Sequence, residues 1–172
     1  PTMDAKKLGS LVAKKYIDDY PNGYMGLGMT YALTDTAGAK GLAARMNALA
    51  EAALASGDKA AFIKARDKAA HYNYDYDSPN GVYDNKDLRD FAGLVASFAK
   101  DEKVKAAAGQ LVSYLAPGKG VVVASGVSKD KPTRSYGVAV YIPSKSLDRD
   151  YLELKIAGDT KWPQMLAWML KR

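Results

Sequence analysis

The sequence lacks cysteine altogether and has a single histidine, His71, among its 172 residues. Nucleophilic catalysis by a thiol needs a cysteine beside a base, usually a histidine, and histidine-rich metal sites need several such ligands. The chain by itself therefore cannot hold a thiol-histidine active site or a histidine-rich metal site. Without cysteine it also has no disulfide framework.

Long apolar runs are absent as well. The longest apolar segments, such as residues 120–127, are strand-sized, whereas a transmembrane helix needs roughly 20 apolar residues, so we expect no membrane span. No signal-peptide pattern follows Pro1, and we interpret the start as a processed or cut end. Hydrophobic residues make up 48% of the chain and charged residues 26%, which is typical of a globular domain.

The net charge of +6 invites comparison with nucleic-acid-binding proteins. The cations, however, are interleaved with carboxylates: Lys14 and Lys15, for example, precede Asp18 and Asp19 by four residues each. That pattern is typical of solvated helix faces and not of a continuous phosphate-binding stripe. We therefore expect no nucleic-acid partner.

Apolar residues at helical spacing predict several helices. The first covers residues 4–20, with Leu8, Leu11, Val12 and Tyr16 on one face. The others cover residues 36–56, 58–70, 87–100, 104–115, 147–154 and 163–170. In the second helix the core-facing stripe is expected at Leu42, Met46, Leu49 and Ala53, and Gly57 ends that helix.

Three segments have the period of β-strands. Residues 28–34 and 136–142 alternate apolar with other residues, and residues 121–127 form a buried-type strand. The polar segment 128–135 predicts a hairpin-like connection between the last two strands. We expect one helix-rich α/β module over residues 1–172, with a small sheet of about three strands and a sub-boundary in the loop 72–85. Such a sheet has edges to cover, so a further strand could come from another chain or segment.

The usual catalytic and nucleotide-binding motifs are missing. Ser125 is not part of a Gly-x-Ser-x-Gly elbow, and Gly118-Lys-Gly120 lacks the other residues of a phosphate loop. His71 is expected at the end of the helix 58–70, where it interacts with the helix C-terminus as a structural residue. We therefore assign no catalytic and no cofactor-binding residue to this chain.

The loop at residues 71–85 is the one segment whose composition indicates binding. Asp75, Asp77 and Asp84 could offer oxygen ligands to calcium, although their spacing does not match a calcium loop; Asx-turns and helix capping are the alternative. Tyr72, Tyr74 and Tyr76 alternate in this loop and could contact a ligand or another chain. Packing of these tyrosines onto the domain's own surface is the competing interpretation.

Several segments, taken in order, resemble the clostripain-like cysteine peptidases. Residues 12–20 (VAKKYIDDY) are similar to the helix after that family's catalytic region, and residues 29–35 (MTYALTD) are similar to its TLSAIDL strand. Further similar segments are residues 46–50 (MNALA), 87–92 (DLRDFA), 121–125 (VVVAS), 136–143 (YGVAVYIP), Tyr151 and 160–162 (TKW). The resemblance covers essentially the whole chain, but Ser-Ala-Ile is missing from residues 29–35 and Tyr136 replaces a small or polar residue.

The resemblance implies a caspase-like fold and a bacterial endopeptidase, secreted or in the cell envelope, that cleaves after Arg or Lys with a histidine-cysteine dyad. In that family both dyad residues precede the region that this chain resembles, and His71 does not match the catalytic histidine motif. The chain is then the C-terminal, non-catalytic portion, which completes the sheet and supports one wall of the substrate cleft. Its implied partners are the catalytic N-terminal portion and a peptide substrate with Arg or Lys. Calcium is a cofactor candidate for the parent enzyme, and no cofactor is expected in this chain.

Two alternatives stay open at this point. An independent peptide- or glycan-binding module could use the tyrosine loop and would need no missing partner. A catalytically inactive homologue, retained for interaction, would also lack the dyad.

Overall fold

A computed structural model describes residues 3–23, 29–72, 84–128 and 134–171. The helices are α1 (Ala5–Asp19), α2 (Ala39–Ser56), α3 (Lys59–Lys68), α4 (Leu88–Phe98), α5 (Glu102–Tyr114), α6 (Lys155–Asp159) and α7 (Trp162–Leu170). The strands are β1 (Thr30–Thr34), β2 (Asn85–Asp87), β3 (Val122–Val127) and β4 (Ala139–Tyr141). Short 3₁₀ helices cover Thr36–Gly38 and Asp150–Glu153. None of the described helices has the length and apolarity to cross a membrane.

Local sequence signals explain where the helices begin and end. Asp4, Asp87 and Asp101 are the N-caps of α1, α4 and α5, and each carboxylate accepts a hydrogen bond from a backbone N–H in the first turn. Gly57 ends α2 in the left-handed conformation, at φ 69°, which costs glycine less than any other residue. The 147–154 helix is replaced by the 3₁₀ turn and by α6, and the other predicted helices are confirmed.

The hydrophobic core lies among α2, α3, α4, α5 and α7. Phe62, Phe91 and Trp162 are fully buried at its centre, and the Phe91 and Trp162 rings meet edge to face at 6.1 Å between centroids. The predicted stripe of α2 is confirmed, because Met46, Leu49 and Ala53 are buried there and Leu42 packs against the core. The helical period alone therefore located the core face of this helix.

The strands form two separate antiparallel pairs. β1 pairs with β3, with Thr30 opposite Val127, and β2 pairs with β4, with Lys86 opposite Val140. The expected helix-rich α/β class with a small sheet is confirmed. The predicted connection of β3 and β4 as a hairpin is wrong, because each strand pairs with an earlier segment of the chain. An alternating pattern identifies a strand but does not specify its partner.

The α1 helix covers one face of the β1–β3 pair through its small residues. Ala13 is buried, Gly9 lies against the Leu33 side chain, and Ile17 lies against Gly126. The face expected to be apolar and core-directed points outward: Leu8 and Leu11 are 51% and 54% exposed. Glycine and alanine let the helix approach the sheet closely, so they form the contact although the larger side chains lie opposite.

Candidate functional site

The residues singled out in the sequence lie around the segment 73–83. Asp75, Asp77, Tyr74 and Tyr76 fall outside the described residues. Within the described part of the chain no group of three or more His, Cys, Asp or Glu side chains could hold a metal ion. The calcium hypothesis therefore gains no support from Asp84, whose carboxylate accepts from the Ser144 N–H at 3.1 Å and whose carbonyl accepts from the Ile142 N–H at 2.7 Å.

Tyr72 belongs to a hydrogen-bond network centred on Asp87. The Tyr72 hydroxyl donates to Asp87 Oδ2 at 2.6 Å and lies 2.7 Å from the Ser135 hydroxyl. Asp87 Oδ2 also accepts from the Tyr136 N–H at 2.6 Å, and Oδ1 accepts from the Asp90 N–H at 2.8 Å. Burial, followed by the bond to Asp87, raises the pKa of Tyr72. Since the Tyr72 hydroxyl already has two partners, it acts as an internal contact in this structure.

Asp90 extends this network to the end of α3. Its Oδ2 accepts from the Ala70 N–H at 2.8 Å and lies 3.5 Å from Arg134 Nε. Burial raises the pKa of the Asp90 carboxyl. Asp87 is fully buried and accepts three hydrogen bonds, so the network joins α4 to the segments before β2 and β4. The network contains no thiol, and both carboxylates accept hydrogen bonds from groups of the chain itself. Its role is therefore to hold these segments together.

His71 lies in a different position from the one expected. Helix α3 ends at Lys68, and His71 is an exposed residue that forms an isolated antiparallel bridge with Lys86. The helix thus ends earlier than predicted, because Ala69 already has an extended conformation, with ψ at 142°, and the interaction of His71 with the helix C-terminus stays a prediction.

A groove along α5 carries three cations that the sequence analysis missed, and we call it the basic groove. It has a volume of about 860 Å³, and Arg45 from α2, Arg89 from α4 and Lys119 after α5 line it. No carboxylate lines the groove among the described residues. No local pattern could have found this cluster, because its members are far apart in the sequence and meet only through helix packing.

A second surface feature is the outer side of α1, which we call the α1 face. Leu8, Leu11 and Val12 are each about half exposed there (51%, 54% and 51%). The Tyr16 and Tyr20 rings continue this face, with centroids 5.5 Å apart. Scattered apolar residues are ordinary on a surface, whereas a contiguous patch indicates an interaction site.

Neither strand of the sheet beneath α1 has a second partner in the described part of the chain. The pair consists of β1 and β3 only, so each strand has one edge without a strand neighbour. An unpaired edge presents backbone donors and acceptors to another segment. The α1 face lies on the outer side of the helix, and these edges belong to the sheet that α1 covers. Together they form the candidate interface.

A scan against protein-family models and searches of curated proteins and of solved structures found no significant match to this chain. The family resemblance therefore rests on the residues quoted for it.

Proposed function

We propose that this chain is the C-terminal, non-catalytic portion of a clostripain-like cysteine endopeptidase that cleaves after Arg or Lys. Its role is to support the substrate cleft and to pack against the catalytic portion, which supplies the histidine and the cysteine. The proposal rests on the ordered resemblance along the chain and on a chemical inventory without a thiol.

The structural observation that supports the proposal best is the α1 face. Three aliphatic side chains of one helix lie about half exposed on the same surface. They lie above a two-stranded sheet whose outer edges have no strand partner among the described residues. Burying such a surface against another part of the protein gains roughly 25 cal/mol per Å² of apolar area. A catalytic portion that packs on α1 and extends the sheet would cover both features.

The independent binding module is supported less well. Tyr72 is engaged in the Asp87 network, and Tyr74 and Tyr76 lie outside the described residues.

The coding sequence upstream of Pro1 is the first test. We expect the same reading frame to encode a segment with a histidine and a cysteine in the dyad motifs of the family. An unrelated domain there, or a start codon immediately before Pro1, would contradict the proposal.

A second test is activity. The isolated chain should not cleave peptides that end in Arg or Lys before a reporter group, because it has no nucleophilic thiol. Turnover that survives repurification and responds to inhibitors would overturn the assignment.

A third test examines the α1 face directly. Leu11→Gln should weaken binding of the chain to the dyad-bearing segment, produced separately. The matched control is Leu152→Gln, since Leu152 is also an exposed leucine, at 49%, but lies on a different element. Equal binding by the two variants would show that the α1 face is not the interface.

A further inference from the structure

The basic groove has no role in the proposed function, and its side chains indicate a ligand of their own. We propose that this groove binds an acidic peptide, an extended segment whose Asp or Glu carboxylates pair with Arg45 and Arg89. This inference does not depend on the peptidase assignment.

Arg45 is held in place before any ligand arrives. Its guanidinium lies 4.0 Å from the centroid of the Tyr114 ring, and Nη1 donates to the Gly41 carbonyl at 3.0 Å. The ring is itself fixed, because the Tyr114 hydroxyl donates to the Gly38 carbonyl at 2.9 Å. An arginine stacked in this way loses little freedom on binding and still has donors for a carboxylate.

Arg89 repeats this arrangement on the neighbouring helix. It belongs to the first turn of α4, and its guanidinium lies 4.5 Å from the centroid of the Tyr136 ring. Lys119 adds a third, exposed cation. Within the described part of the chain none of the three forms an ion pair, whereas Lys6, Lys14 and Lys15 each pair with an aspartate. The basic groove therefore concentrates positive charge that no carboxylate of the described residues neutralises in an ion pair.

The shape and floor of the groove suit an extended chain. Its volume of about 860 Å³ is at the upper end of the roughly 300–1,000 Å³ typical of ligand sites, and it exceeds what one inorganic anion needs. Small residues of α5, such as Gly109, leave the floor open, and Gln110 and Ser113 also line it. These two side chains can both donate to and accept from a peptide backbone.

A single-stranded nucleic acid is a poorer fit for the same charges. Such ligands are held by cations together with aromatic faces on which the bases stack. In the basic groove the guanidinium groups of Arg45 and Arg89 already lie over the Tyr114 and Tyr136 rings. The site therefore offers charge and hydrogen bonds, with carboxylates as the matching partners.

The experiment measures binding of a fluorescent octapeptide of alternating Glu and Ser to the full chain by anisotropy at low ionic strength. A Gln/Ser peptide of the same length and an oligothymidylate are the competing probes. Arg45→Gln and Arg89→Gln should each weaken binding of the acidic peptide about tenfold. Arg149→Gln removes the same charge from an exposed position that does not line the groove and should have a much smaller effect.

Gly109 provides a charge test that does not disturb the fold. A Cβ at this position would meet nothing within 4 Å, and both Glu and Gln have a higher helix propensity than glycine. Gly109→Glu should weaken the acidic peptide at least about tenfold, while Gly109→Gln, of the same size, should weaken it much less.

The binding measurements either support or overturn the acidic-peptide site. Selective binding of the Glu/Ser peptide, lost in the arginine variants and in Gly109→Glu, supports the site. Equal losses in Arg149→Gln, equal effects of Glu and Gln at position 109, tighter binding of the oligothymidylate, or no binding of the acidic peptide would each overturn it. None of these results bears on whether a dyad-bearing segment is encoded upstream.

Discussion

Replacement of Asp87 by alanine tests whether the network around this carboxylate stabilises the fold. Asp87 is fully buried and caps α4 through the Asp90 N–H at 2.8 Å. The same carboxylate accepts from the Tyr72 hydroxyl and from the Tyr136 N–H, both at 2.6 Å. Alanine removes all three interactions at once.

The expected cost follows from these contacts. Loss of an N-cap costs about 1 kcal/mol, and a buried donor left without an acceptor costs about 1–3 kcal/mol. The Tyr72 hydroxyl keeps Ser135 as a hydrogen-bond partner. Losing its bond to Asp87 therefore costs less free energy than leaving the Tyr136 N–H without an acceptor. We therefore expect Asp87→Ala to lower the free energy of unfolding by about 4 kcal/mol.

Asparagine at the same position should be less damaging. It keeps an acceptor for the helix cap but presents an amide N–H to the Tyr136 N–H, two donors facing each other. We expect a loss of about 2 kcal/mol for Asp87→Asn.

The assay is urea unfolding followed by circular dichroism and by tryptophan fluorescence. Asp101→Ala is the matched control, since Asp101 caps α5 through the Lys103 and Val104 N–H groups but is only partly buried. It should cost about 1 kcal/mol. If Asp87→Ala were no more destabilising than Asp101→Ala, the network would contribute nothing beyond the cap and the reasoning would fail.

Three further predictions concern stability and use the same urea assay. Leu11→Gln should change the free energy of unfolding by less than about 0.5 kcal/mol, because Leu11 is 54% exposed, and a larger loss would mean that it packs in the free chain. Gly57→Ala should cost about 1 kcal/mol through the positive φ alone, since a Cβ there meets nothing within 4 Å, and Gly57→Asn should cost less. Burial raises the pKa of Asp90 in the folded chain. The contribution of this carboxyl to the free energy of unfolding is therefore most favourable below the ordinary carboxyl pKa, and it is lost as the pH rises through the pKa of the folded state. The stability of Asp90→Asn relative to the parent chain should therefore rise between about pH 3 and about pH 7, and a constant difference would contradict the raised pKa.

The chemical inventory, without cysteine and with one histidine, was available from the sequence and limits what the chain can catalyse alone. The placement of His71 in a bridge with Lys86 needed the structure, because the end of α3 at Lys68 depends on how the following residues pair with β2.

Local interactions are what the sequence determined by itself. Helix periods, aspartate caps and the left-handed glycine at Gly57 act within a few residues, so they located most helices and the core stripe of α2. β2 escaped prediction because its residues, Asn85–Asp87, include no strong strand former.

Only the tertiary structure decided which distant segments meet. The β1–β3 and β2–β4 pairings, the outward direction of the α1 face, the network of Asp87 and the clustering of Arg45 with Arg89 all join parts of the chain far apart in sequence. Which of these segments meet depends on the packing of whole helices and strands, since several strand pairings satisfy the same alternating pattern. The small residues of α1 are the clearest case: Gly9 and Ala13 carry little hydrophobic signal, yet they let the helix lie close on the sheet and leave its leucines on the surface.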